Sequence, residues 1–127
     1  MLRALGTFVA LLAAAPASGA TFIVNVGGSS PPTFTPQTLT IHAGDTVLFR
    51  NKGGLHNVVA DDGSFRCALS CANGTPSSQN WQSSITFDTP GVVGYFCEVH
   101  GAPGVGMFGT ITVQAPTPVR LESFDVD

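Results

Sequence analysis

The strongest constraint on the fold is the alternation of apolar and other residues over short stretches that are separated by turn residues. In residues 38–51, TLTIHAGDTVLFRN, Leu39 and Ile41 occupy alternate positions before a turn, and Val47 and Phe49 do so after it. A period of two is typical of half-buried β-strands, whereas an amphipathic helix repeats every 3.6 residues. Because no stretch shows sustained helical periodicity, the sequence predicts an all-β protein.

The predicted strands are short and closely spaced along the chain. They are residues 21–26, two strands within 38–51, then 55–60, 84–91 with its turn, 92–97 and 109–113. Residues 61–82 are rich in Ser and Gly and are predicted to be irregular, with room for one short helix. This spacing favours an antiparallel Greek-key β-sandwich or barrel of about seven to eight strands.

The two ends of the chain differ in composition from the predicted domain. Residues 1–20 combine Arg3, an apolar run and the small residues PASGA, which is typical of a secretory signal peptide. The alternative, a membrane anchor, is less well supported because the run is shorter than the ~18 apolar residues that usually span a bilayer. The sequence therefore predicts a periplasmic or secreted domain over residues 21–114, followed by a C-terminal tail over residues 115–127.

The charge of the predicted mature chain argues against two classes of partner. Without Arg3, four Lys and Arg residues stand against eight Asp and Glu residues, which gives 4 − 8 = −4. Nucleic acids and anionic membranes are bound by clustered Lys and Arg, so neither partner is expected. The mild acidity favours solubility and docking toward basic partners.

Three cysteines in an exported chain leave one of them unpaired. Cys67 and Cys71 lie four positions apart in the irregular segment, and an oxidising compartment favours their pairing. The alternative joins one of them to Cys97 and leaves the other as a free thiol. With the local pair formed, Cys97 is the odd thiol, and its place after the apolar VVGYF predicts that it ends a buried strand.

A thiol, an imidazole and a thioether occur within eleven residues, at Cys97, His100 and Met107. Calcium and magnesium prefer oxygen ligands and are excluded by this set. Two imidazoles, one thiolate and a weak axial thioether suit a blue copper site, which requires a second histidine. His56 is the better candidate, because a strand runs between it and His42 and should place them at opposite ends of the sheet. His42 is then predicted to be a surface residue.

Two segments of this chain resemble the cupredoxins, or blue copper proteins, most closely their plastocyanin-like members. They are AGDTVLFRNKGGLHNVVADDGSF and GYFCEVHGAPGVGMFGTITV, and the resemblance covers about residues 21–114. It implies a cupredoxin-like fold and one copper ion held by His56, Cys97, His100 and Met107. It also implies that the Asn57 side chain ties the two ligand loops together.

The spacing after His100 departs from this family pattern. Six residues, GAPGVG, separate His100 from Met107, more than the plastocyanin-like members usually have. Because the insert is small and flexible, we expect it to bulge outward and return Met107 to the site. In the alternative interpretation, Met107 is a core residue that fills a gap.

These features together predict a soluble, exported one-electron carrier with a mononuclear type 1 copper site that cycles between Cu(I) and Cu(II). It is expected to be a monomer without stable membrane insertion and to dock transiently, near an exposed His100, on redox proteins such as a cytochrome or an oxidase. A copper-binding or delivery protein with the same ligands is the alternative. A zinc site and an enzyme are weaker readings, because no orienting group accompanies Cys97 and His100 and three histidines cannot build a multicopper oxidase.

Overall fold

The computed structural model describes residues 19–116, which form nine strands and no helix. The strands are β1 Thr21–Gly27, β2 Phe34–Thr35, β3 Thr38–His42, β4 Asp45–Gly53, β5 Val58–Ala60, β6 Arg66–Cys67, β7 Gln82–Phe87, β8 Gly91–Ala102 and β9 Val105–Gln114. Within these residues, no helix is long and apolar enough to cross a membrane. Most of the predicted signal peptide and of the predicted tail lies outside the described residues.

The strands form two sheets, with the orders β2-β1-β4-β7 and β3-β9-β8-β5-β6. The predicted all-β sandwich is confirmed, but the sheets are mixed rather than purely antiparallel. β1 pairs with β4 in parallel, and β3 pairs with β9 in parallel. Alternation along a strand shows which residues face the core, but not the direction of the neighbouring strand, which is set by the crossovers.

Two local predictions differ from the structure around the middle of the chain. The strand predicted to start at residue 55 starts only at Val58, because His56 instead forms an isolated antiparallel bridge with Ser77. The segment 61–82 contains the two-residue strand β6 and no helix. Tertiary pairing with a distant residue therefore decides the conformation at His56, and local alternation does not reveal such a pairing.

The core lies between the sheets and is filled by aromatic and β-branched side chains. Tyr95 is fully buried at its centre, where its ring contacts Phe34 and Phe49 edge to face, with centroid separations of 4.8 and 5.3 Å. This geometry adds a favourable quadrupole interaction to the burial of apolar area. The packed core forms a rigid base below the end of the sandwich that carries the predicted ligands.

Candidate metal centre

Both sheets contribute to the candidate metal centre, which lies at one end of the sandwich. His56 lies on the connection between β4 in one sheet and β5 in the other, and Cys97 and His100 belong to β8. Their ligand atoms all lie within 4.8 Å of one another. Residues that are 41 positions apart in sequence are thus brought into one cluster by the packing of the two sheets.

An irregularity in the β8–β9 ladder allows Cys97 and His100 to face the same point. Phe96 pairs with Phe108, but the next pair is Gly101 with Gly106, so β8 carries three more residues than β9 between the two pairs. The four residues 97–100 therefore bulge out of the regular ladder. Without the bulge, strict alternation would place Cys97 and His100, which are three positions apart, on opposite faces of the sheet.

The distances around Cys97 match those expected for a shared metal ion. Its Sγ lies 3.7 Å from Nδ1 of His56 and 3.8 Å from Nδ1 of His100. Metal–nitrogen and metal–sulfur bonds of about 2.0 and 2.3 Å that meet at a trigonal angle of ~120° place nitrogen and sulfur about 3.7 Å apart. The donor set and its spacing therefore fit one copper ion that these three side chains would hold together.

The His56 ring is oriented by a hydrogen bond on the side away from Cys97. Its Nε2 donates to the carbonyl oxygen of Gly53 at 2.9 Å, so Nδ1 carries the lone pair that faces the cluster. The backbone of His56 is also fixed by two hydrogen bonds with Ser77, of 3.2 and 3.0 Å. Burial, and secondarily the nearby His100, lower the pKa of His56 and favour the neutral, metal-binding form.

Asn51 supports the loop that carries the Gly53 carbonyl. It is buried, its Oδ1 accepts a hydrogen bond from Gly53 N–H at 3.2 Å, and its Nδ2 donates to the carbonyl oxygens of Gly54 at 3.0 Å and Gln79 at 2.8 Å. The hydrogen bond from Gly53 N–H to Oδ1 of Asn51 forms an Asx turn, because Gly53 lies two positions after Asn51. Asn51 thus connects β4, the His56 loop and the segment before β7.

Glycines leave room for the His56 ring. Gly27 has φ of +68°, and a Cβ atom at this position would overlap Nε2 and Cδ2 of His56. A Cβ atom on Gly54, where φ is +98°, would approach the same Nε2 atom to 2.5 Å. The Gly-Gly pairs of the sequence therefore do more than end strands, since they allow two backbone segments to pack against the imidazole.

Asn57 joins the two predicted ligand segments by hydrogen bonds. Its Nδ2 donates to Oε1 of Glu98 at 2.7 Å and to the carbonyl oxygen of Gly74 at 3.1 Å, and its Oδ1 accepts from the backbone N–H of Glu98 at 3.0 Å. Hydrogen bonds from Arg66, and then from Asn57, hold the pKa of Glu98 below its usual value. Asn57 is fully buried, so its own end of these bonds is shielded from water.

The cysteines pair as the sequence predicts, but the prediction that Cys97 ends a strand is wrong, because β8 continues to Ala102. Cys67 and Cys71 form a disulfide, and Cys97 is a free, buried thiol. The third histidine, His42, is exposed at the end of β3 and is not a member of the cluster of possible ligands. Met107 is 2% exposed, and the β8–β9 register places it opposite the bulged residues 97–100.

The insert between His100 and Met107 is a short hairpin, not the flexible bulge that its composition suggests. Gly101 pairs with Gly106 and Ala102 with Val105, so only Pro103 and Gly104 form the turn. Gly104 has φ of +70°, which suits the position after proline in a type II turn. The extra residues therefore extend β8 and β9 past the cluster and bring the chain back to Met107.

Sequence reasoning missed several residues that support the cluster. Asn51 and Gly27 orient His56, and Arg66 pairs with Glu98. An asparagine followed by Lys-Gly-Gly is a signal for an Asx turn and predicts the local part of the Asn51 network. The contacts of Gly27 and Arg66 cross between distant segments, and no local pattern indicates them.

Comparison with known proteins gives a consistent family assignment. Residues 21–114 match the family of copper-binding proteins described as plastocyanin/azurin. A plastocyanin from Prochlorothrix hollandica is 42% identical over 109 residues, which cover 82% of this chain and 81% of that protein. Plastocyanin from the fern Dryopteris crassirhizoma has the same fold, with a TM-score of 0.56 and 24% identity over 72% of this chain and 99% of the fern chain.

A copper-containing nitrite reductase from Thermus scotoductus also resembles this chain in structure. The TM-score is 0.56 and the identity is 27%, over 76% of this chain but only 23% of the reductase chain. The likeness thus extends to a minor part of that larger protein.

Proposed function

The chain belongs to the plastocyanin/azurin family of copper-binding proteins and is a one-electron carrier with a single type 1 copper; we propose that His56, Cys97, His100 and Met107 are the copper ligands. The observation that carries this proposal is the position of the Cys97 sulfur, 3.7 and 3.8 Å from the two imidazole Nδ1 atoms. Two imidazoles, one thiolate and a weak axial thioether form the donor set of blue copper sites.

The protein residues account for the properties that such a carrier needs. Copper, when bound, supplies a Cu(II)/Cu(I) couple that gains and loses one electron. His56 is held by Gly53 through its ring and by Ser77 through its backbone, so it keeps one orientation. Cys97 is fully buried, which excludes water from its sulfur. A site that is already arranged needs little rearrangement when its charge changes.

Redox partners are proposed to dock around the His100 ring, which is exposed at the edge of the cluster. Leu55, on the connection between β4 and β5, and Val105, in the hairpin that follows His100, are large apolar residues that are also exposed. Small, weakly bound interfaces suit partners that must separate after each transfer. A cytochrome or an oxidase is the proposed partner, and the protein is proposed to act as a monomer.

The proposed domain boundaries follow the sequence and the family match. Residues 21–114 form the copper domain, residues 1–20 are a signal peptide that directs export to the periplasm or outside the cell, and residues 115–127 are a tail. We infer no catalytic activity, because His56 and Cys97 are buried and His100 is the one exposed residue of the three clustered side chains. Enclosure of the thiolate also favours a carrier over a protein that delivers copper.

Copper reconstitution with optical and electron paramagnetic resonance spectra tests the proposal. We expect an intense Cu(II)–thiolate absorption that disappears on reduction and is abolished in Cys97→Ser. The three histidines provide a matched comparison, since His56→Gln should lose the band whereas His42→Gln should keep it. A coloured Cys97→Ser protein would refute the ligand assignment. Rapid loss of copper to an acceptor during redox cycling would favour the delivery function.

A further inference from the structure

Glu98 lies on the bulged segment between two of the proposed ligands and accepts three hydrogen bonds on one oxygen. Its Oε1 lies 3.0 Å from Nε and 2.7 Å from Nη2 of Arg66, and 2.7 Å from Nδ2 of Asn57. Among residues 19–116, Arg66 and Glu98 form the one ion pair between side chains. Each is partly exposed, so the pair is not a buried core feature.

Arg66 lies in the short strand β6, which carries none of the proposed ligands. Its Nη1 donates to Oδ1 of Asn73 at 3.0 Å, and its carbonyl oxygen accepts from Gly74 N–H at 2.8 Å. The Cys67–Cys71 disulfide closes the loop between these two contacts. The guanidinium group is therefore fixed on a cross-linked segment and presents a fork of donors toward Glu98.

The bulged segment depends on such side-chain contacts. Residues 97–100 lie between the last regular pair of the β8–β9 ladder and the first pair of the hairpin, so they have no ladder partners on β9. The backbone N–H of Glu98 is bonded instead to Oδ1 of Asn57. The Glu98 side chain adds Arg66 as a second attachment point, which lies on a different strand, β6.

We propose that Arg66 is a positioning residue for the copper–thiolate bond, acting through Glu98 to fix the bulged segment and to compensate the negative charge beside the metal. This inference rests on the proposed function. It assigns to Arg66 an effect on the reduction potential that a residue serving stability alone would not have.

Opposite changes of charge should move the potential in opposite directions. Arg66→Met leaves the Glu98 carboxylate uncompensated, which favours Cu(II) and lowers the potential. Glu98→Gln leaves the Arg66 charge unpaired and raises it. The expected change in the ratio of Cu(II) to Cu(I) affinity is about threefold to tenfold for a unit charge near the protein surface. A tenfold change corresponds to about 59 mV for one electron.

The double variant Arg66→Met/Glu98→Gln should return toward the wild-type potential, because both charges are then removed. Arg50→Met is the matched control, since it loses the same charge without contacting Glu98. Its shift should be clearly smaller than that of Arg66→Met. Because the pair is partly exposed, the difference between the two variants should shrink as the salt concentration rises.

A second measurement on the metal-free protein separates positioning from charge. Amide hydrogen exchange of Glu98 should accelerate in Arg66→Met, because the bulged segment loses one attachment. Arg66→Lys keeps the positive charge but should still lose part of the protection of this amide against exchange. Equal potentials in Arg66→Met and Arg50→Met, together with unchanged Glu98 exchange, would overturn the proposal. A wild-type protein without the thiolate band would instead overturn the proposed function.

Discussion

The two imidazoles of the candidate centre differ in how they are held. His56 is 2% exposed, its Nε2 is bonded to the Gly53 carbonyl, and its backbone is bonded to Ser77. His100 is exposed, and the polar contact found for its ring is with the Cys97 sulfur. One side of the site is therefore built into the sandwich, and the other is presented to the surroundings.

This difference separates two requirements of an electron carrier. Constant geometry requires fixed ligands, and on the buried side the proposed ligand His56 is held through β4, β5 and the Asn51 network. Exchange with a partner requires a ligand within reach of the surface, and the bulge in β8 places the proposed ligand His100 there. A single strand bulge allows both, since it places Cys97 inward while His100 reaches the edge of the domain.

The largest expected effect comes from replacing each histidine with glycine. His100→Gly opens a gap at the surface, so added imidazole should enter it and restore the thiolate band. His56→Gly leaves a gap enclosed by Gly27, Gly54 and the Gly53 carbonyl, so the same imidazole concentration should restore much less of the band. Titration of both copper-loaded variants with imidazole, followed optically, measures the difference. Equal recovery in the two variants would remove the distinction between a buried and an open side.

Gly27→Ala tests how tightly the buried side is packed. The new methyl group would overlap the His56 ring, and φ of +68° disfavours any residue with a side chain. We expect a loss of about 3 kcal/mol or more in the free energy of unfolding, together with an altered copper spectrum. Denaturant unfolding of the metal-free variant and its optical spectrum provide the measurements.

Gly63→Ala is the matched control for this substitution. Gly63 has a similar φ of +78°, but a Cβ atom there meets nothing within 4 Å. Only the backbone penalty of about 1–2 kcal/mol should remain, and the copper spectrum should not change. If both variants lose the same stability and keep the same spectrum, the close packing of Gly27 on His56 is unimportant.

Removing the disulfide should weaken the loop that borders the buried side. The chain-entropy estimate for a loop of this length is about 2 kcal/mol, so Cys67→Ala/Cys71→Ala should lower the free energy of unfolding by that amount. The wild-type protein under reducing conditions serves as a comparison, since it should show a similar loss with the side chains retained. A double variant as stable as the oxidised wild type would show that the cross-link contributes nothing to this side of the molecule.

The smallest expected effect concerns the core below the site. The buried Tyr95 hydroxyl has no hydrogen-bond partner among residues 19–116, and burial raises the pKa of this phenol well above its ordinary value, so the group stays neutral. Tyr95→Phe removes an unpaired polar atom and keeps the edge-to-face contacts. We expect a gain of about 1 kcal/mol in the free energy of unfolding, with an unchanged copper spectrum. A loss of stability in thermal or denaturant unfolding would mean that the hydroxyl has a favourable partner after all.

The sequence predicted the chemistry of the site well because its signals are local. Cys97, His100 and Met107 lie within eleven residues, and their donor atoms alone select a soft or borderline metal. The disulfide between Cys67 and Cys71 was predicted from their separation of four positions in an exported chain, and it was confirmed. Alternation predicted the all-β class, because the burial of one face requires apolar residues at every second position.

Only the tertiary structure decided how these residues meet and what supports them. Several features depend on contacts between different segments of the chain. They are the parallel pairing of β1 with β4, the start of β5 after His56, the ordered hairpin in the GAPGVG insert, and the contacts of Gly27, Asn51 and Arg66. The physical reason is that the donor atoms are a property of individual residues, and the alternation of apolar residues is a property of short stretches. Register, approach distances and cross-loop hydrogen bonds arise only when the two sheets pack together.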